Sequence, residues 1–179
     1  ETLWNVIFQN IRPEDVDGFV ASVAAANIDV NNIRDIDGST SLHSAVKYCP
    51  KAIPALVAAG ADVNKKDGGG WTPLILAAEY HPEAVSALLS AGADVNEKDK
   101  NNVTLLMYAI EHNPEAVPSL LATVAKVNEK DRYKRTPLMY AAQYHPDTVP
   151  ALLATGTKVK EQDHYGQTAT MYTAQYQPE

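Results

Sequence analysis

Few groups in this chain could act as nucleophiles, metal ligands or phosphate cradles, and none has the neighbours its chemistry needs. The single cysteine, Cys49, has no base beside it to generate a thiolate. One cysteine also excludes an internal disulfide framework and a multi-cysteine metal site. Gly68-Gly69-Gly70 is not followed by the Lys-Ser/Thr of a phosphate-binding loop. Read as a calcium loop, Asp35-Ile36-Asp37-Gly38 would put Ile33 and Ser44 at the first and twelfth positions, where carboxylates are required. His81 and His145 lie 64 residues apart. They fall two helical layers apart at roughly 10 Å per layer, too far to share a metal. They read instead as turn-capping residues. His112 and His164 lack a ligand-spaced partner. The expectation is a protein with no catalytic residue, no metal and no cofactor.

Composition bounds the remaining possibilities. At 45% hydrophobic and 21% charged, the 179 residues can build a packed core, which excludes a long disordered chain. A net charge of −7 argues against broad nucleic-acid binding. No apolar run approaches the 18 or so residues of a membrane span. No basic segment followed by an apolar stretch opens the chain, so no signal peptide is visible.

The dominant feature is repetition. Asp recurs at 35, 67, 99, 131 and 163, and Thr at 40, 72, 104, 136 and 168. Leu follows at 42, 74, 106 and 138, and Pro at 50, 82, 114, 146 and 178, all with a period of 32 residues. The second unit shows what one period encodes. Thr72-Pro73 reads as an N-cap followed by proline in the first turn. Leu74, Ala77 and Ala78 form one apolar stripe, and the alanines admit a close neighbouring helix. Tyr80-His81-Pro82 ends this helix. A second helix carries Val85, Leu88 and Leu89, and Gly92 supplies a left-handed cap. A polar connection around Asp67 to Gly70 then reads as a hairpin-like finger.

Trp71-Thr72-Pro73-Leu74-Ile75-Leu76-Ala77-Ala78 with Ala91-Gly92-Ala93-Asp94-Val95-Asn96, and Arg135-Thr136-Pro137-Leu138-Met139-Tyr140-Ala141-Ala142, resemble the ankyrin repeat. The resemblance covers nearly the whole chain. It implies an all-α solenoid of stacked helix-turn-helix units with hairpin-like fingers, elongated and curved. These units are one residue shorter than the usual 33, the inter-helix glycine being absent. His43 alone keeps the family's histidine after Leu. The even, proline-turned short repeats resemble those of bacterial ankyrin proteins.

Residues 1–179 are expected to form a single ankyrin-repeat domain. It comprises an atypical N-terminal cap (1–34), full repeats 35–66, 67–98, 99–130 and 131–162, and a partial repeat 163–179. In the cap, Leu3, Val6 and Ile7 are read as one stripe with Thr2 as cap, and Val16, Phe19, Val20 and Val23 as a second helix. The partial repeat lacks its second helix, which reads as a fragment of a longer chain. In the third repeat Val124 stands where Gly60, Gly92 and Gly156 stand. A β-branched residue in a left-handed cap costs about 1 kcal/mol, so Val124→Gly is expected to stabilise. Pro54, Pro118 and Pro150 imply that second helices begin late, with these prolines outward in the first turn.

What remains for function is a surface. All nine tyrosines fall on the second stripe of the first helices or in the fingers. That stripe reads Ser44, Leu76, Tyr108, Tyr140, Tyr172 in one column and Tyr48, Tyr80, His112, Tyr144, Tyr176 in the next, whose regular tyrosines just before the turn read first as filling the space of the absent glycine and second as contact groups. The fingers add Trp71, Arg132, Tyr133, Arg135, His164, Tyr165 and Gln167, where the repeats vary. Tyr108, Tyr140 and Tyr172 are expected to be partly exposed. Lys126, Lys130, Arg132, Lys134, Arg135, Lys158 and Lys160 make the later fingers basic, suited to steering an acidic partner segment. In the ankyrin family this side is the concave, ligand-binding face. The resemblance thus implies a non-enzymatic module binding a protein or peptide, monomeric, with no nucleic-acid partner. The candidate contact residues are Trp71, Tyr80, Tyr108, His112, Arg132, Tyr133, Arg135, Tyr140, Tyr144, Tyr165 and Tyr172. The alternative is a targeting or spacer arm of a larger enzyme or secreted effector.

Overall fold

The computed structural model describes residues 3–12, 14–32, 34–123 and 125–177. Thr2, Val124 and Pro178, expected from their types and spacing to be a cap, a strained helix end and a turn, lie outside the described residues. The chain divides into two compact units, Glu1–Asp94 and Val95–Glu179.

The first unit holds α1 (Leu3–Asn10), α2 (Val16–Ala25), α3 (Ser41–Tyr48), α4 (Ile53–Ala58), α5 (Pro73–Tyr80) and α6 (Val85–Ser90). The second holds α7 (Leu105–His112), α8 (Val117–Leu121), α9 (Pro137–Tyr144), α10 (Val149–Leu153) and α11 (Ala169–Tyr176). First helices stack on first helices, α1 on α3 on α5 and α7 on α9 on α11, and α4 packs against α2 and α6. There is no strand among the described residues, only a single bridge between Lys98 and Thr104. The architecture is all-α and repetitive, as the periodicity predicts.

The first helices α3, α5, α7, α9 and α11 each start on a threonine in extended conformation. Thr72, Thr104 and Thr136 accept the backbone N–H three residues on, at 3.3–3.4 Å. The predicted stripe is the core: Leu74, Ala77 and Ala78 are buried, as are Leu106, Ala109 and Ile110, and Leu138, Ala141 and Ala142. The helix ends at an extended residue before proline, for example His81 at φ −143°. A 3₁₀ turn such as Pro82–Ala84 then leads into the second helix. Pro54, Pro118 and Pro150 sit exposed in the first turn of α4, α8 and α10, where a missing N–H costs nothing. Gly60 and Gly92 close α4 and α6 at φ +87° and +90°. Beyond them the Ala61 and Ala93 N–H groups reach back to the Leu56 and Leu88 carbonyls at 2.9 and 3.0 Å, the Schellman arrangement.

The cap departs from expectation. Leu3 and Val6 are exposed, 62% and 44%, whereas Trp4 and Phe8 are buried. The helix is rotated by one residue because two aromatic rings bury more apolar area than two aliphatic chains. Phe19 of α2 meets both rings edge-on at 6.1 and 6.4 Å.

The fingers are three-residue hairpin turns built on the recurring aspartate. In every repeat its N–H donates to the carbonyl four residues on, and its carbonyl accepts from the residue three on. That third residue is Gly38, Gly70, Asn102, Lys134 or Gly166, all with φ between +60° and +84°. Such a turn needs the left-handed conformation there. Neighbouring fingers are tied tip to tip: the Gly68 N–H donates to the Asp37 carbonyl at 2.6 Å, Arg132 to Asn101 and His164 to Tyr133 at 2.7 Å.

Candidate functional site

The finger aspartate is also the link between finger and helix. Its Oδ1 accepts two backbone N–H groups from its own turn, as in Asp131 with Tyr133 and Arg135, both at 2.8 Å. In three of the five fingers its Oδ2 accepts the hydroxyl of a first-helix tyrosine nine residues on: Tyr108 to Asp99 at 3.2 Å, Tyr140 to Asp131 at 3.1 Å, and Tyr172 to Asp163 at 3.0 Å. Asp99, Asp131 and Asp163 are correspondingly buried.

This corrects the expected exposure of the tyrosine column. Tyr140 is 3% exposed and Tyr172 6%, and only Tyr108 is half-buried. A phenol that satisfies a buried carboxylate is held inside by it, since an unpaired carboxylate there would be costly. Burial pushes the Tyr140 hydroxyl well above the ordinary tyrosine value, against the pull of the Arg135 guanidinium and helped by Asp131. Burial, then the hydrogen bond to Asp163, pushes Tyr172 up to about 12.

Arg135 completes the fourth finger. Its Nε donates to Asp131 Oδ2 at 2.8 Å and its Nη2 to the Tyr140 hydroxyl at 2.8 Å. Its guanidinium carbon lies 4.6 Å from the Tyr140 ring centroid and 5.5 Å from that of Tyr133. Arg135 is thus a half-buried bracket rather than a free basic group. Lys98 pairs with Glu129 and Lys130 with Glu161, and the Lys130 ammonium holds the Glu161 carboxyl below the usual range. Lys126, Lys134, Lys158 and Lys160 are exposed.

The other candidates stand outward. Tyr165 is 76% exposed, Tyr80 48%, Tyr133 41% and Tyr144 37%. His112 and Arg132 are exposed and Trp71 half-buried. Tyr144 rests on Tyr140 at 5.9 Å and His112 on Tyr108 at 6.3 Å, the i, i+4 pairing their spacing implies. Arg132 lies over Tyr133 at 5.0 Å. His81 sits at its turn with Nδ1 2.8 Å from Glu83 Oε1 and Nε2 3.2 Å from the Lys47 carbonyl. No His, Cys, Asp or Glu group able to hold a metal is present among the described residues. His43 is buried, its Nε2 donating to the Trp71 carbonyl at 2.9 Å and its Nδ1 accepting the Thr40 N–H at 3.2 Å. Burial lowers its pKa, and the Trp71 hydrogen bond opposes that shift.

Two structural roles escaped residue-by-residue reading. The asparagine that ends Asp29-Val30-Asn31, Asp62-Val63-Asn64, Asp94-Val95-Asn96 and Lys126-Val127-Asn128 is a stitch: its Oδ1 accepts the N–H of Asp62, Asp94, Lys126 or Lys158 at the start of the next such motif, always at 2.8 Å. The finger Asp is the second. Both were signalled by recurrence: the aspartate stands in all five repeats, and the asparagine in four of five motifs, Lys160 replacing it in the last.

A family model described as ankyrin repeats (3 copies) matches residues 48–131 and 106–179. The chain belongs to the ankyrin repeat family. No curated protein matches it. Ankyrin repeats are generally non-catalytic protein–protein interaction modules. Among the described residues no helix is long and apolar enough to cross a membrane.

Proposed function

We propose that this chain binds a protein or peptide through its finger tips and the adjoining ends of its first helices, without catalysis and as a monomer. In the first unit the contact groups are Trp71 and Tyr80. In the second they are Arg132, Tyr133, Tyr144, Tyr165 and His112. Tyr108, Tyr140, Tyr172 and Arg135 hold the fingers rigid behind them. The observation that carries this reading is the outward display of Tyr133 and Tyr165 at fingertips whose backbone is fixed by turn, aspartate and inter-finger hydrogen bonds. Aromatic side chains with a polar tip give large contact area with few rotatable bonds, and a prefixed backbone leaves little ordering entropy to lose. The net charge of −7 disfavours nucleic acid as the partner.

The test is selection of binders from a displayed random-peptide library on the whole chain. The enriched peptides are then titrated against Tyr133→Ser/Tyr165→Ser and Trp71→Ser/Tyr80→Ser variants. Loss of affinity of about tenfold or more, with Tm unchanged, is expected for at least one pair. Peptides that bind every variant as tightly as the parent place the contact surface elsewhere.

A further inference from the structure

A recess of about 490 Å³ opens in the first unit between the fingers of repeats 35–66 and 67–98. That size suits a side chain or small ligand. Its counterpart in the second unit, between the last two fingers, holds only about 270 Å³. The two are lined by matching positions of the repeat. Tyr133, Arg135, Asp163, Tyr165 and Tyr172 line the smaller one. The same five positions of the larger one carry Asp37, Ser39, Asp67, Gly69 and Leu76. Three tyrosines and an arginine have become an aspartate, a serine, a glycine and a leucine. The finger aspartate alone is kept.

The aspartates record what is missing. Asp35 Oδ1 accepts the Asp37 and Ser39 N–H groups at 3.0 and 2.7 Å, and Asp67 Oδ1 those of Gly69 and Trp71 at 2.8 and 2.9 Å. Their Oδ2 atoms accept no hydrogen bond among the described residues. In the three other fingers that oxygen takes a tyrosine hydroxyl, and in Asp131 an arginine Nε as well. Where the fourth repeat has Arg135 and Tyr140, the first has Ser39 and Ser44, and both line the recess. The carboxylates alone would say little. The filled counterpart in the same chain shows the chemistry that fits them: a guanidinium on the aspartate, lying against tyrosine rings.

We infer that this recess receives the guanidinium of an arginine side chain from the bound partner. Asp35, Asp37 and Asp67 set three carboxylates against one ammonium, that of Lys47, which lies 5.4 and 5.7 Å from the Tyr48 and Tyr80 ring centroids. Arg34 bonds weakly to the Gly38 and Lys66 carbonyls and is not among the lining residues. Tyr48, Trp71 and Tyr80 supply aromatic wall. A planar guanidinium meets carboxylates and stacks on rings together; a compact, strongly hydrated ammonium does this less well. The inference rests on the reading of the chain as a protein-binding module and names one group of its partner.

The test is an NMR titration of the ¹⁵N-labelled whole chain with acetyl-arginine-amide, following the Ser39 and Gly69 amides. Saturable shifts with Kd on the order of 1–10 mM are expected. Acetyl-citrulline-amide, the neutral isostere, and the Asp67→Asn variant should each bind about tenfold or more weakly. In Ser39→Arg/Ser44→Tyr, which refills the recess from within, binding should vanish while the far-ultraviolet spectrum stays that of the parent. Free L-arginine brings an α-carboxylate to three others and should bind more weakly than the amide. Tighter binding of the free amino acid overturns the assignment to a peptide side chain. Equal binding of citrulline, absence of saturation, or undiminished binding in the refilled variant overturns the inference altogether. If library peptides still bind the Tyr133 and Tyr165 fingers in that event, the recess alone is wrong. If the arginine probe saturates but no finger variant weakens peptide binding, the broader surface is wrong.

Discussion

Replacing Tyr140 separates a tyrosine that holds the finger from one that merely faces a partner. Tyr140→Phe keeps the ring and removes one hydroxyl, and with it the bonds to Asp131 at 3.1 Å and from Arg135 at 2.8 Å. Hydrogen bonds to charged groups contribute about 1.5–3 kcal/mol. Asp131 keeps its two backbone donors and the Arg135 Nε, so the loss should lie near the low end, about 1.5 kcal/mol. Tyr140→Ser also removes a ring that is 3% exposed, and truncating a buried aromatic costs about 3–5 kcal/mol. The control is Tyr165→Ser, 76% exposed, which should stay within about 0.5 kcal/mol of the parent. Urea denaturation followed by circular dichroism measures all three, and hydrogen exchange at the Tyr133 and Arg135 amides reports the finger directly. A Tyr140→Ser variant as stable as the parent would refute the reasoning, as would equal losses at 140 and 165.

Other outcomes follow from the same geometry. Lys134 holds φ +63°, so Lys134→Gly should raise stability by about 0.5–1 kcal/mol in the same urea assay, with Lys134→Asn intermediate. The folded-state pKa of His43 is lowered, so its neutral form carries stability that is present above pH 6.5 and lost as pH falls below it. Tm measured from pH 7 to 5 should therefore fall more steeply for the parent than for His43→Gln. The raised phenols of Tyr140 and Tyr172 work in the opposite direction. Their contribution is whole below the ordinary tyrosine value near 10 and is lost as pH rises above it, for Tyr172 toward about 12, a loss that Tyr172→Phe should reduce in alkaline melts. Asn128→Ala strips the Lys158 N–H of its acceptor and should cost about 0.5–1.5 kcal/mol, with faster exchange at that amide.

Much of this molecule was legible in one dimension because its determinants are local and repeated. Thr caps, turn prolines, Gly60 and Gly92 at helix ends and the Leu-Ala-Ala stripes act over three to five residues, and copies 32 residues apart confirm one another. The late start of the second helices followed from Pro54, Pro118 and Pro150 for the same reason. The rotation of α1 did not, because the cap has no second copy and its face is chosen by how Trp4, Phe8 and Phe19 pack across two helices.

The fate of the tyrosines was decided in three dimensions. A residue on the second stripe of a helix faces outward until something folds over it. Here the finger does so, bringing an aspartate nine residues upstream onto the hydroxyl of Tyr140 or Tyr172. Periodicity placed the column but could not see its partner, because the turn that delivers the carboxylate closes only when Oδ1 gathers two backbone amides. The recess has the same origin: Ser44 and Leu76 read as ordinary variants of a column until the space vacated above Asp35 and Asp67 is measured. Sequence assigns each residue its turn of helix, and long-range polar pairing then settles which side chains water can reach.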